Sequence, residues 1–91
     1  MTRTVKIRIS GRVQGVYFRR FTKNKAQDLG VKGTVRNMED GRVEIIAQAE
    51  LSILEPFIKW CHKGPITARV DNAELIEMQT NEGKFDSFEI I

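Results

Sequence analysis

The hydrophobic period changes across residues 11–17, and that change restricts the fold more than any other feature of the chain. Before it, Val5, Ile7 and Ile9 alternate with Lys6 and Arg8. A period of two puts them on one face of a strand over residues 3–10. After it, Phe18, Phe21, Thr22, Ala26 and Leu29 recur at helical spacing, which predicts a helix over residues 18–29. Gly30 then stands where a helix end favours left-handed backbone. Residues 11–17 carry two glycines and no helical pattern, so they read as a loop.

A second strand follows over residues 31–38. A strand, a helix and a second strand of one sheet make a crossover, so these two strands run parallel and end at the same edge. Glu39-Asp40-Gly41 reads as a hairpin turn of type I′, because Asp-Gly accepts positive φ values. Residues 42–49 return as the third strand. Ser52 with Glu55 offers a capping box for a second helix. The alternative start is Glu55, which places Pro56 in the first helical position. Either start buries Leu54, Phe57, Ile58 and Cys61. Gly64-Pro65 ends the helix. Residues 68–78 and 85–91 read as the last strands, with the alternation broken near Asp71 and Asn72, as at a bulge. The order is βαββαβ plus a short terminal strand. It predicts an α+β two-layer sandwich, two helices on one face of an antiparallel sheet of four to five strands.

Ninety-one residues make one domain, 1–91, since a second independent core would not fit. Hydrophobic residues at 41% and charged residues at 30% describe a soluble globule. No apolar run approaches the ~18 residues that cross a bilayer, and residues 1–10 lack the apolar block of a signal peptide. Cys61 is the one cysteine, which excludes an internal disulfide and a multi-cysteine metal site. A cytoplasmic protein is expected, working as a monomer or small oligomer, the monomer being preferred, with no membrane partner.

The net charge of +3 is too small to argue for nucleic acid. Its distribution is uneven: residues 1–45 hold eleven basic and four acidic side chains. Arg12, Arg19, Arg20, Lys23 and Lys25 cluster there. Such a field attracts anions, although on charge alone a solvated basic helix face is the better account of the pattern.

The segment Gly11-Arg12-Val13-Gln14-Gly15-Val16-Tyr17-Phe18-Arg19 joins a strand end to a helix start. A helix N-terminus offers unpaired N–H groups and about half a positive charge. Glycines let the backbone wrap closely round a phosphate or carboxylate. Arg19, in the first helical turn, adds a permanently charged fork. The loop lacks the Gly-Lys-Ser/Thr ending of a Walker A motif and the dinucleotide fingerprint. A glycine turn beside a surface arginine is the equal alternative. Asn37 ends the second strand at the same edge, and its amide both donates and accepts, as a group orienting water must. On residues alone, Asn37 reads slightly better as the start of the hairpin turn.

These residues carry a resemblance. Gly11-x-Val13-Gln14-Gly15-Val16-x-Phe18-Arg19 resembles the first signature of the acylphosphatase family. Gly33-x-Val35-Arg36-Asn37, with Gly41-x-Val43-Glu44, resembles the second. Trp60, Gly64-Pro65, Ala68, Val70 and Phe88-Glu89-Ile90 are similar to the later pattern of prokaryotic members. The resemblance implies a ferredoxin-like fold and hydrolysis of an acyl phosphate to a carboxylate and inorganic phosphate. It implies catalysis by Arg19 and Asn37, Arg19 holding the phosphoryl group and Asn37 the attacking water. It implies a phosphate-binding loop of Gln14, Gly15, Val16, Tyr17, Phe18 and Arg19, for which phosphate or sulfate is a product-like ligand. No metal and no organic cofactor is implied. Thr34 departs from the family, which usually places an aromatic residue there; this bears on packing beside the site and on preference for bulky acyl groups, and leaves the implied catalytic pair untouched.

Other residues read more plainly. Cys61 is buried filler, and His62 faces solvent without a second imidazole to share a metal. Arg20 is a solvated charge. Gln14 is expected to matter through its backbone amide more than its side chain, and Tyr17 to reach the acyl group. The runner-up function is an RNA-binding module, since RNA-recognition sheets share this strand order. The third strand has no aromatic residue for bases to stack on. An anion-binding regulatory domain without turnover is a third reading.

Overall fold

The computed structural model describes residues 2–79 and 85–91; residue 1 and residues 80–84 of the expected domain lie outside the described residues. Strand β1 (Thr2–Arg12) is followed by helix α1 (Phe18–Leu29), strands β2 (Lys32–Asn37) and β3 (Val43–Glu50), helix α2 (Leu51–Lys63), and strands β4 (Arg69–Met78) and β5 (Phe88–Ile90). The sheet has five strands in the order β4-β1-β3-β2-β5. Val5, Ile7, Ile9, Val35, Val43, Ile45 and Ala47 are buried on the sheet face that the helices cover. Phe18, Thr22 and Ala26 of α1 and Leu54, Phe57 and Cys61 of α2 close the core from the other side. The fold is ferredoxin-like.

Strand β1 runs antiparallel to β3, and so does β2, so β1 and β2 run parallel as the crossover requires. One part of the sheet departs from the expected antiparallel pattern: β5 pairs with β2 in parallel. The reason is positional. β4 ends level with the start of β1, at the edge where β2 also begins. A strand entering from that edge runs in the direction of β2.

Three local expectations are corrected. Among the described residues only Tyr17 has positive φ without being glycine, so Asp40 does not, and a type I′ turn is excluded. Glu39, Asp40 and Gly41 form a longer loop, closed where Met38 N–H donates to the Arg42 carbonyl at 2.7 Å. Gly41 alone takes the left-handed position, at φ 96°. The second correction is the start of α2. The helix follows β3 directly, with Glu50 as N-cap and no side-chain cap bond, so neither Ser52 nor Glu55 marks it. Pro56 lies inside the helix. Its missing N–H would have bonded the Ser52 carbonyl, and both residues are exposed, so water can serve that carbonyl. The third is Phe21, placed on the buried stripe by its spacing but 39% exposed.

The bulge is present: pairing shifts between Ser10 and Gly11, which face Asn72 and Val70 and skip Asp71. The C-terminal end of α1 also follows its signal. Gly30 N–H donates to Gln27 and Val31 N–H to Ala26, the paired bonds of a Schellman end.

Candidate active site

The ends of β1 and β2 and the start of β4 share one edge of the sheet. Residues 13–17 leave β1 there and enter α1. Along them the sign of φ alternates. Gly15 has φ 75° and Tyr17 φ 60°, while Val16 between them keeps negative φ. Alternation of this kind turns successive N–H groups toward one concave side. The main-chain N–H groups of Gly15, Val16, Tyr17, Phe18 and Arg19 donate to no acceptor among the described residues. Groups left this way need water or a ligand, because an unpaired buried donor costs about 1–3 kcal/mol.

Val13, Gly15, Tyr17, Phe18, Arg19 and Asn37 line one cleft of about 290 Å³. Arg19 is half-buried and forms no ion pair among the described residues. Asn37 Oδ1 is buried and accepts no hydrogen bond from the described residues. Asn37, the last residue of β2, lines the same cleft. A larger cleft of about 440 Å³ lies at the opposite edge, lined by Thr2, Gly30, Lys32, Gln48 and Phe85 among others. Gly30 marks the C-terminal end of α1, where the carbonyls carry partial negative charge. That end disfavours an anion, so size does not select the site.

The sequence underrated Gln14. Its Nε2 donates to the carbonyls of Met38 and Arg42, each at 2.9 Å. One side chain therefore ties the glycine loop to the hairpin that follows Asn37. Gln14 is absent from the lining of the cleft; its side chain sets the spacing of the two segments that are present. Tyr17 lines the cleft and is 77% exposed. A non-glycine residue with left-handed backbone carries about 1–3 kcal/mol of strain, which such sites retain when the surroundings enforce it. Arg20 is exposed and lies outside the lining, as expected.

Thr34 is corrected. It pairs with Ile46 and Glu89, between the buried neighbours Gly33 and Val35. Alternation puts it on the sheet face away from the helices, and it does not line the cleft. Cys61 is fully buried, and that burial pushes its thiol pKa up, so it is neutral and inert. His62 is exposed. Among the described residues no three His, Cys, Asp or Glu side chains come together as a metal site. Sequence reasoning missed Thr67, whose Oγ1 donates to the Val16 carbonyl at 2.9 Å. No local pattern marks it, because the partners are 51 residues apart.

Fold and site together define a class: a small ferredoxin-like α+β protein with a cleft of main-chain amides, one arginine and one asparagine at its strand ends. Residues 5–90 match the family model for acylphosphatase. The chain is 44% identical over 89 residues to an acylphosphatase of Rubrobacter xylanophilus, covering 98% of this chain and 80% of that protein. It is 46% identical over 85 residues to one from Anaeromyxobacter dehalogenans, covering 93% of this chain and 90% of that protein. Its structure matches the crystal structure of acylphosphatase from Bacillus subtilis with a TM-score of 0.92 at 34% identity, over 100% of this chain and 99% of that one. The chain belongs to the acylphosphatase family. It is an enzyme that hydrolyses an acyl phosphate to a carboxylate and inorganic phosphate.

Proposed function

We propose that the phosphoryl group of the substrate sits in the cradle of Gly15–Arg19 amides, clamped by the Arg19 guanidinium, while Asn37 holds the water that attacks it. One observation carries this reading: among the described residues, a run of main-chain N–H groups without acceptors, an arginine without an ion pair and a carboxamide oxygen without a donor belong to one cleft and the loop that forms it. An acyl phosphate needs little else. Its leaving group is a carboxylate whose conjugate acid has a pKa near ~4, so no general acid is required. The loose transition state spreads charge over the equatorial phosphoryl oxygens, and fixed amides with Arg19 meet that charge without rearranging. Asn37 turns a random encounter with water into an oriented one. A carboxamide is no base, so the proton of the water passes to the substrate's own phosphate oxygen. The exposed Tyr17 ring stands at the rim, where the acyl group leaves the cradle.

Inorganic phosphate and sulfate are proposed to occupy the same cradle as product-like ligands. The protein is proposed to act as a single domain over residues 1–91, as a cytoplasmic monomer. No helix among the described residues is long and apolar enough to cross a membrane.

The test is release of phosphate from acetyl and benzoyl phosphate with a chelator present. Turnover under those conditions is expected. Salt-sensitive RNA binding with no turnover would reverse the reading toward the RNA module. Anion binding with no turnover would reverse it toward a regulatory domain. A pH–rate profile that required an ionising side chain would remove the proton route through substrate phosphate.

A further inference from the structure

We infer that Thr67 is a positioning residue of the phosphate cradle, acting through the peptide that joins Val16 to Tyr17; the inference rests on the cradle reading above. The Thr67 hydroxyl donates to the Val16 carbonyl at 2.9 Å. A trans peptide is planar, with its carbonyl and its N–H pointing in opposite directions. A carbonyl drawn to Thr67, which lies outside the cleft lining, turns the Tyr17 N–H the other way, toward the anion. The next peptide is held separately. The Tyr17 carbonyl accepts from Phe21 N–H at 3.1 Å, which turns the Phe18 N–H in the same manner. The helix therefore aims one amide, and Thr67 aims the one before it.

This peptide needs a restraint because its present orientation is the strained one. Tyr17 has φ 60° and ψ 23°. A flip of the Val16–Tyr17 peptide rotates φ of Tyr17 by half a turn, to about −120°, which with ψ kept at 23° takes it out of the left-handed region into the bridge region. The flip would also swing the Val16 carbonyl into the place of the anion. Relaxation of the backbone and loss of the cradle are the same movement. The hydroxyl of Thr67 opposes both.

The restraint itself is firmly mounted. Ala68 N–H donates to the Pro65 carbonyl at 3.0 Å and Gly64 N–H to Trp60 at 2.7 Å, which fixes the turn that carries Thr67. Gly64 lies against the Phe18 ring so closely that a Cβ there would be 3.1 Å from Phe18 Cε2. The Phe18 and Trp60 rings pack at 6.1 Å. Val16 is buried at its side chain, so the peptide pivots between two anchors.

Thr67→Val keeps the shape and removes the hydroxyl; Thr67→Ser keeps the hydroxyl. Residue 67 is exposed, so neither change disturbs the core. The experiment titrates inorganic phosphate into wild type and both variants. It follows backbone amide shifts, the Tyr17 HN–Hα coupling and phosphate inhibition of acetyl phosphate hydrolysis. Wild type is expected to show phosphate-induced shifts at the amides of Gly15–Arg19. In Thr67→Val the Tyr17 amide loses most of its shift, its coupling moves toward that of negative φ, and phosphate binds about three- to tenfold more weakly, the weight of one hydrogen bond. Thr67→Ser restores all three. A structural role alone would change stability and leave the Tyr17 signature in place. Wild-type shifts with an unaltered Tyr17 amide and unaltered affinity in Thr67→Val overturn the role of Thr67 and leave the cradle standing. Absence of shifts at Gly15–Arg19 in wild type overturns the cradle, and the role of Thr67 with it.

Discussion

Replacing Gln14 by methionine separates the two halves of the site without touching the substrate. Methionine has similar length but donates nothing, so both 2.9 Å bonds to the Met38 and Arg42 carbonyls disappear. Neither carbonyl is left bare. The Met38 carbonyl still accepts from Gly41 N–H at 3.2 Å, and the Arg42 carbonyl from Met38 N–H at 2.7 Å. The full cost of an orphaned acceptor is therefore avoided. Two neutral bonds at their ordinary net value give a loss of about 1–2 kcal/mol, measurable by urea unfolding. The larger effect falls on turnover. With the tie gone, the loop bearing the amides and the strand end bearing Asn37 settle independently, and a misplacement near 1 Å costs up to about 10²-fold. We expect kcat for acetyl phosphate to fall about 10- to 100-fold, with a smaller change in phosphate inhibition. A double-mutant cycle with Asn37→Ala isolates the cause. In that background Gln14→Met should lower kcat by less than about twofold, since no positioned water remains to misplace. An equal loss in both backgrounds, or lost stability with kcat intact, would refute the reasoning.

Two further outcomes are expected. Tyr17→Gly keeps the N–H and relieves the left-handed strain, so stability should rise by about 0.5–1 kcal/mol, while kcat/KM for benzoyl phosphate falls more than that for acetyl phosphate. Urea unfolding and paired kinetics check both parts; a drop in stability would show that the backbone is unstrained. Glu44 is 6% exposed and accepts from Arg8 Nε at 3.1 Å and Arg36 Nε at 3.0 Å. Its burial works to raise the pKa, but the two guanidinium bonds prevail and hold it below the ordinary 4.5. A depressed folded value means stabilisation present above pH 4.5 and lost as pH falls through the lower folded value. Glu44→Gln should therefore cost about 1–2 kcal/mol at neutral pH, a figure reduced by the partial exposure of both arginines, and almost nothing once pH has fallen below the lowered folded value. A deficit independent of pH would contradict this.

The elements that were legible in the sequence are those built by local periodicity. Helix α1 begins and ends where its stripe and Gly30 place it, because each signal involves residues within one or two turns. Helix α2 defeated its cap signals because β3 feeds straight into it and Glu50 needs no side-chain bond there. The Asp-Gly pair signalled a turn correctly and its type wrongly, since one residue more in the loop leaves only Gly41 left-handed. At the site, Arg19 and Asn37 were legible as types suited to anions and water, and the crossover put them at one edge. The ties that space them were not. Gln14 reaches across 24 and 28 residues and Thr67 across 51, and such pairings arise only once the sheet is assembled. Strand alternation puts Thr34, where the family usually has an aromatic residue, on the sheet face away from the helices.

The central claim is that binding and water orientation belong to different groups, and the most direct measurement compares Asn37→Ala with Arg19→Ala. For each variant, kcat for acetyl phosphate and the inhibition constant of inorganic phosphate are measured together. Arg19→Ala should weaken phosphate binding and raise the barrier by at least about 2.7–4 kcal/mol, as for loss of a preorganised donor. Asn37→Ala should lower kcat strongly while phosphate binding stays within about twofold, since in the proposed arrangement its carboxamide contacts the water and not the anion. Weakened phosphate binding with turnover spared in Asn37→Ala would contradict the account.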